Sequence, residues 1–312
     1  MKKFIPSIQV RTDQDFAVAR AGIVICFFMY RSHGEVARTV WRALQTYLGA
    51  IPPQALSWYG DENGDYQPLN DKGWKYIRRK MLERAWPIEC YLELEEHCDT
   101  VSGYNFEYRG CWLDGTRFLL KEDPTCAVSF TLPTEYLVEH GPTHVRNLAL
   151  ELARELPFSY GYASLALIAP RGIWFSARRT VHELLKRYPG LDIYRINETS
   201  QHIGTRARGA YWLTFLGLPL LGQVGGIENL RRWLPFPDLS LQTLPPLEGE
   251  RVLITLGEWP QALDTEQQEH PPPPLLALAR LLAPFLHEEP SNWFHLFGVG
   301  EDMHRWIRRF CP

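Results

Sequence analysis

The passage from Ile203 to Leu234, IGTRARGAYWLTFLGLPLLGQVGGIENLRRWL, restricts the fold more than any other stretch of the chain. Ala210 to Leu216 is aromatic and β-branched, the composition of a buried strand. Gly217 and Pro219 stop that strand. Gly222, Gly225 and Gly226 mark a place where the backbone must turn or approach another segment closely. A helix follows from about Ile227 to Leu234, with Ile227, Leu230, Trp233 and Leu234 near helical spacing, and Pro235 ends it. These glycines do not make a phosphate cradle: neither G-x-G-x-x-G nor G-K-[ST] is present, so turning and packing explain them.

The rest of the chain supplies similar pieces. Residues 16–30 form a nearly continuous apolar strand of the kind covered on both faces. Gly34 precedes a helix that runs to about Leu48, with Val36, Val40, Ala43, Leu44 and Tyr47 inward. Asn70-Asp71 caps a helix from about Lys72 to Ala85, whose Lys75, Arg78, Arg79 and Lys80 make a solvated face. Strands at 88–96, 103–113 and 126–132 are joined as a meander. Helices at 133–140 and 143–156 follow, then a second apolar strand at 158–168 and a second amphipathic helix at 177–187. Short strands at 191–196, 239–244 and 251–257 precede a polar loop that ends in Pro271–Pro274, and helices at 275–286 and 301–310 finish the chain. The fold class is α+β: mainly antiparallel sheet covered by amphipathic helices. Strand, helix and aromatic connection occur twice, which suggests two similarly built α/β lobes, 1–156 and 157–312, joined in one compact unit.

Length and composition suit a chain with a large core: 312 residues, 45% hydrophobic, with 11 Trp. The net charge of −3 argues against direct nucleic-acid binding, which favours a basic domain. Charge is uneven. Residues 51–150 hold 10 Lys+Arg against 16 Asp+Glu, net −6, whereas residues 1–50 hold 7 against 3, net +4. Six cysteines without C-x-x-C, and an N-terminus lacking an apolar export core, read as reduced thiols of a cytoplasmic protein. The run Ala21 to Tyr30 is too short to span a membrane.

Two acidic features stand out in the middle segment. In Ile88-Glu-Cys-Tyr-Leu-Glu-Leu-Glu95, alternation places Cys90, Leu92 and Leu94 on one face and Glu89, Tyr91, Glu93 and Glu95 on the other. A row of carboxylates on one strand face must be relieved by solvent or by a cation. The Gly60-Asp-Glu-Asn-Gly-Asp65 turn lacks the ligand spacing of a calcium loop and reads as a hairpin tip. The motifs of common hydrolases and metal enzymes are absent: G-Y-A-S-L is not G-x-S-x-G, and no H-E-x-x-H or His/Cys cluster at ligand spacing occurs. No catalytic residue, metal ligand or cofactor is assigned. The competing reading is an enzyme of unidentified class with a polar pocket in a cleft between the lobes.

The motifs ARGAYWLTFLG at 207–217 and LPLLGQVGGIENLRRWL at 218–234, with FSYGYASLAL at 158–167 and RYPGLDI at 187–193, resemble the type VI secretion immunity family whose members are partners of nuclease effectors. The resemblance is clear over Tyr160 to Leu234 and looser before it. It implies a protein that binds and inhibits a cognate toxin, of DNase type, by occluding its active site or DNA groove. Gly161, Tyr162, Gly209, Trp212, Gly217 and Gly226 are the matching positions and read as fold-defining. The family supplies no inhibitory motif, so the expected toxin interface rests on charge: Asp61, Glu62 and Asp65 on the turn, Glu93 and Glu95 on the strand, and Asp99 beyond it, facing a basic partner.

Overall fold

Side chains along Ala17–Met29 alternate between two cores. Ile23, Ile25, Phe27 and Met29 pack on one side of the strand, and Val24, Cys26 and Phe28 on the other. Both faces are covered, which is why the run reads as unbroken apolar sequence. The computed structural model describes residues 5–12, 14–83, 89–113, 123–169, 178–247, 249–288 and 302–311.

The strands are β1 (Gln9–Arg11), β2 (Ala17–Met29), β3 (Trp58–Gly60), β4 (Tyr66–Pro68), β5 (Glu89–Glu95), β6 (Asn105–Cys111), β7 (Cys126–Pro133), β8 (Tyr160–Ile168), β9 (Asp192–Ile193), β10 (Leu213–Leu216), β11 (Leu239–Leu244) and β12 (Arg251–Leu256). They form a single 12-stranded sheet in the order β11-β12-β10-β8-β2-β7-β6-β5-β3-β4, with β1 beside β2 and β9 beside β8. Among the described strands, β8 and β9 pair in parallel and the other pairs are antiparallel. The fold is α+β, and β5, β6 and β7 pair antiparallel in chain order, as a meander does. Gly22–Met29 of β2 pairs with β7, and Arg20–Phe28 pairs with β8, so the sheet continues across the middle of the chain.

Helices α1 (His33–Ala50), α2 (Asp71–Leu82), α3 (Thr134–His140), α4 (Pro142–Ala153) and α5 (Arg178–Arg187) cover one face. Their anchors include Val40, Ile77, Leu137, Val145 and Leu185. Helices α6 (Ile196–His202), α7 (Leu220–Gln223), α8 (Gly226–Trp233), α9 (Pro273–Leu282) and α10 (Asp302–Ile307) cover the other face through Ile196, Leu220, Leu230, Leu278 and Ile307. The result is three layers, helix, sheet and helix.

The Ile203–Leu234 passage folds as strand, turn and helix, with the strand shorter than its aromatic composition suggests. Gly225 (φ +89°) and Gly226 (φ +75°) take the left-handed backbone that starts α8. Gly161 of β8 is paired with Phe27 of β2, and a side chain there would fall on the Phe27 ring. The expected strand at 191–196 is a departure. Only Asp192–Ile193 is extended, and α6 begins at Ile196. Tyr194 still donates its N–H to Leu167 O (3.1 Å), after which the chain turns at Arg195 and lays α6 against β6 and β7. Pro273 and Pro274 occupy the first turn of α9, where a missing N–H costs nothing.

Candidate functional site

Of the six carboxylates expected at a contact surface, the structure brings three together. Asp61, Glu62 and Asp65 sit on the turn joining β3 to β4, and β4 is the last strand of the sheet. Asp61 organises the turn. Its Oδ1 accepts the N–H groups of Asn63 (2.9 Å) and Asp65 (3.0 Å), and its Oδ2 accepts from Gln67 Nε2 (3.2 Å). Partial desolvation works to raise the Asp61 pKa, but the N–H groups of Asp65 and Asn63, with Gln67, outweigh it and hold the carboxyl below its usual value. Glu62 and Asp65 are exposed. Beside the tip, the rings of Tyr59 and Tyr76 lie 5.2 Å apart, and both residues are half-buried.

Asp99 is exposed but lies elsewhere. Trp58 pairs with Glu95 and Tyr59 with Leu94, antiparallel. The tip after Gly60 and the turn after Glu95 therefore lie at opposite ends of these strands. Glu93 and Glu95 are not solvent-facing as alternation on an outer strand face suggests: they are 2% and 4% exposed. Their face of the sheet is the one that carries α6, and Asn105 donates to Glu95 (2.6 Å) from the neighbouring strand.

Glu93 belongs to a polar row that crosses the middle of the sheet, and Glu95 lies on the same face one pair further along, beside Asn105. Cross-strand register sets Glu93 beside Glu107, Glu107 beside Ser129, Ser129 beside Cys26, Cys26 beside Tyr162, and Tyr162 beside Thr214. The covering layer supplies partners to Glu107, Ser129 and Tyr162. The Tyr194 hydroxyl reaches both Ser129 Oγ (2.9 Å) and Glu107 Oε2. Arg109 Nε donates to Glu107 (3.1 Å), and its guanidinium lies 3.4 Å from the Tyr91 ring centre. Asp192, fully buried, accepts from the hydroxyls of Tyr162 (2.8 Å) and Tyr211 (3.0 Å) and from both Nε and Nη2 of Arg208 (3.3 Å each). Arg208 also donates to Ile193 O (2.7 Å) and to the Thr199 hydroxyl. Burial pushes Glu107 up to about 7, with Arg109 opposing and Glu93 adding to the rise. Burial likewise raises Glu95, with Glu93 reinforcing it.

This network ties β9, α6 and the 203–212 segment to the sheet. Its centre, Asp192, Arg208, Glu107 and Tyr194, is buried, so its chemistry is that of a clamp. Sequence reading passed over Asp192 and Arg208. The available signal was a lone charge set in an apolar run, as in Leu191-Asp-Ile-Tyr194 and Ala207-Arg-Gly-Ala-Tyr-Trp212. Among the described residues, no group of three or more His, Cys, Asp or Glu side chains is placed to hold a metal ion. No described helix is long and apolar enough to cross a membrane. A cleft at the ends of β2 and β8 measures about 300 Å³ and is lined by Tyr30, Phe158, Pro219 and Arg251, with Leu218 and Leu247 half exposed on its rim. The Arg251 guanidinium is committed there to the carbonyls of Ala153, Leu156 and Arg154 at 3.0–3.1 Å.

The profile of the TsiV family, described as type VI immunity for VRR-NUC, matches residues 39–310, nearly the whole chain. The chain belongs to the TsiV family. It is a type VI immunity protein for nuclease effectors of the VRR-NUC class. Its fold is also that of the Pseudomonas aeruginosa T6SS protein PA0821, with a TM-score of 0.79 at 18% identity over 100% of this chain and 89% of that one. No curated protein sequence matches it. The TsiV match takes in both the Asp61–Asp65 tip and the buried Asp192–Arg208 clamp.

Proposed function

We propose that this TsiV protein neutralises its VRR-NUC effector by direct contact, laying the acidic hairpin tip against the basic surface with which the nuclease holds nucleic acid. The observation that carries the reading is the Asp61 turn: three carboxylates at the end of the sheet, with Asp61 held ionised by its own loop. A nuclease must present cations to a phosphate backbone. Fixed carboxylates compete for those cations, and rings beside them supply rigid apolar contact. Inhibition of this kind needs no catalytic group, so the protein works stoichiometrically. None of the six cysteines forms a disulfide, which suits action in the reducing cytoplasm. Glu93 and Glu95 contribute through the fold, and Asp99 belongs to a different end of the molecule.

The test is a nuclease assay of the purified effector with the wild-type protein and with the Glu62→Lys/Asp65→Lys double variant, in which Asp61 keeps its turn. Stoichiometric protection by the wild type, lost or weakened at least tenfold in the variant, is the expected result. Equal protection by both would move the contact away from the tip.

A further inference from the structure

The two edges of the sheet are built differently. On one side the sheet ends in β4, three residues long and closed by Pro68. Shortness and proline are the usual means of blunting an edge against unwanted pairing. On the other side it ends in β11, six residues of sequence LSLQTL with no charge, no proline and a regular register to β12 throughout. Ser240, Gln242 and Thr243 are exposed.

The register shows which backbone groups face outward. Gly257 N–H donates to Asp238 O (2.9 Å), so the antiparallel ladder places the hydrogen-bonded pairs at Ser240–Thr255, Gln242–Leu253 and Leu244–Arg251. On the far side of β12, Leu256 N–H goes to Trp212 O (2.8 Å), which is the same phase. The N–H and C=O groups of Leu241 and Thr243 therefore point away from the sheet. Leu239 shares that direction, but its N–H is already used by Phe236 O (3.2 Å).

We propose that β11 is a dimerisation edge, paired antiparallel with β11 of a second copy of this chain. The flanks of the strand favour that occupant. Ahead of it come exposed Arg232 and exposed Trp233 (61%), and behind it come exposed Leu247 (47%) and exposed Glu250. A twofold axis reverses the second strand, so the basic and aromatic approach of one copy meets the aliphatic and acidic exit of the other. With Gln242 on the axis, Leu241 exchanges N–H···O bonds with Thr243 of the second copy, and the axis repeats the exchange. Leu239 then faces Pro245, so the pair that lacks usable donors on both sides falls where the ladder stops. The neutral strand puts no like charges opposite each other.

The experiment is sedimentation of the full chain over a concentration series, without effector. The wild type is expected to show reversible monomer–dimer exchange. Thr243→Pro removes an outward N–H that the β12 ladder does not use, and is expected to yield monomer with an unchanged circular dichroism spectrum. Because a strand proline can also impair folding, a charge exchange stands beside it. Arg232→Glu and Glu250→Arg each weaken the dimer, and the double variant restores it by about tenfold or more in dissociation constant. A wild type that stays monomeric at the highest concentration overturns the proposal. A dimer indifferent to both Thr243→Pro and the charge exchange overturns it too. So does a monomer whose Thr243→Pro variant loses effector binding, which would give the edge to a strand of the effector.

Discussion

Glu107 shows how the fold controls the ionisation of a single residue. Burial lifts its carboxyl to about 7 against 4.5 for an ordinary glutamate, despite Arg109 and the Tyr194 hydroxyl. The unfolded chain therefore releases this proton at lower pH than the folded chain. Below 4.5 the contribution to stability is complete; between there and about 7 the unfolded state binds fewer protons and stability falls as pH rises, by about 3 kcal/mol in all. Glu107→Gln is expected to remove that slope and to gain on the wild type above neutrality, as measured by urea unfolding at a series of pH values. A slope equal to that of the wild type would place the proton elsewhere. Arg208 makes the opposite case. Arg208→Ala leaves Asp192 as an uncompensated buried charge and should cost about 3–5 kcal/mol in the same assay. Alternation along β5 correctly put Glu93 and Glu95 on one face. That the face is buried was not legible, because its helical layer, α6 to α10, comes about a hundred residues and more later in the chain.

Elements with their own local signals were readable from sequence. Asn70 was expected to cap α2, and its Oδ1 accepts the N–H groups of Lys72 (3.0 Å) and Gly73 (3.2 Å). Asn70→Ala should lower stability by about 1 kcal/mol, read as a shift in the denaturant midpoint at constant slope. The limits of β11 and the start of β12 likewise follow from alternation and from the Pro245-Pro246 break. Helix α6 had no such signal. Its sequence, INETSQH, is short and polar, and Arg195 before it makes no side-chain cap. It is helical because Thr199 holds Arg208 and Ile196 joins the core beneath the sheet. Here tertiary contact overrides weak propensity. Gly161 in β8 belongs to the same class of packing decisions: Gly161→Ala drives a methyl into Phe27 and should cost about 1–3 kcal/mol in thermal or denaturant unfolding.

At the scale of the whole molecule, the acidic middle segment was visible as a net charge, but its division was not. Three-dimensional packing buries Glu93 and Glu95 on one face of the sheet and leaves Asp61, Glu62 and Asp65 at the sheet's end. The two groups therefore predict different kinetics with the effector. Exposed charges act through long-range attraction, which salt screens over roughly 8–10 Å at physiological strength. Glu62→Lys/Asp65→Lys should slow association and flatten its dependence on salt, with far-UV circular dichroism unchanged. Glu95→Gln, an uncharged substitute of the same shape at a buried site, should leave association rate and salt dependence at wild-type values while altering the pH profile of stability. Stopped-flow association with the effector at two ionic strengths separates these outcomes. If Glu95→Gln slowed association while the double reversal at the tip left it unchanged, the effector would have to open the sheet's covered face in order to bind, and the hairpin tip would be an ordinary solvated turn.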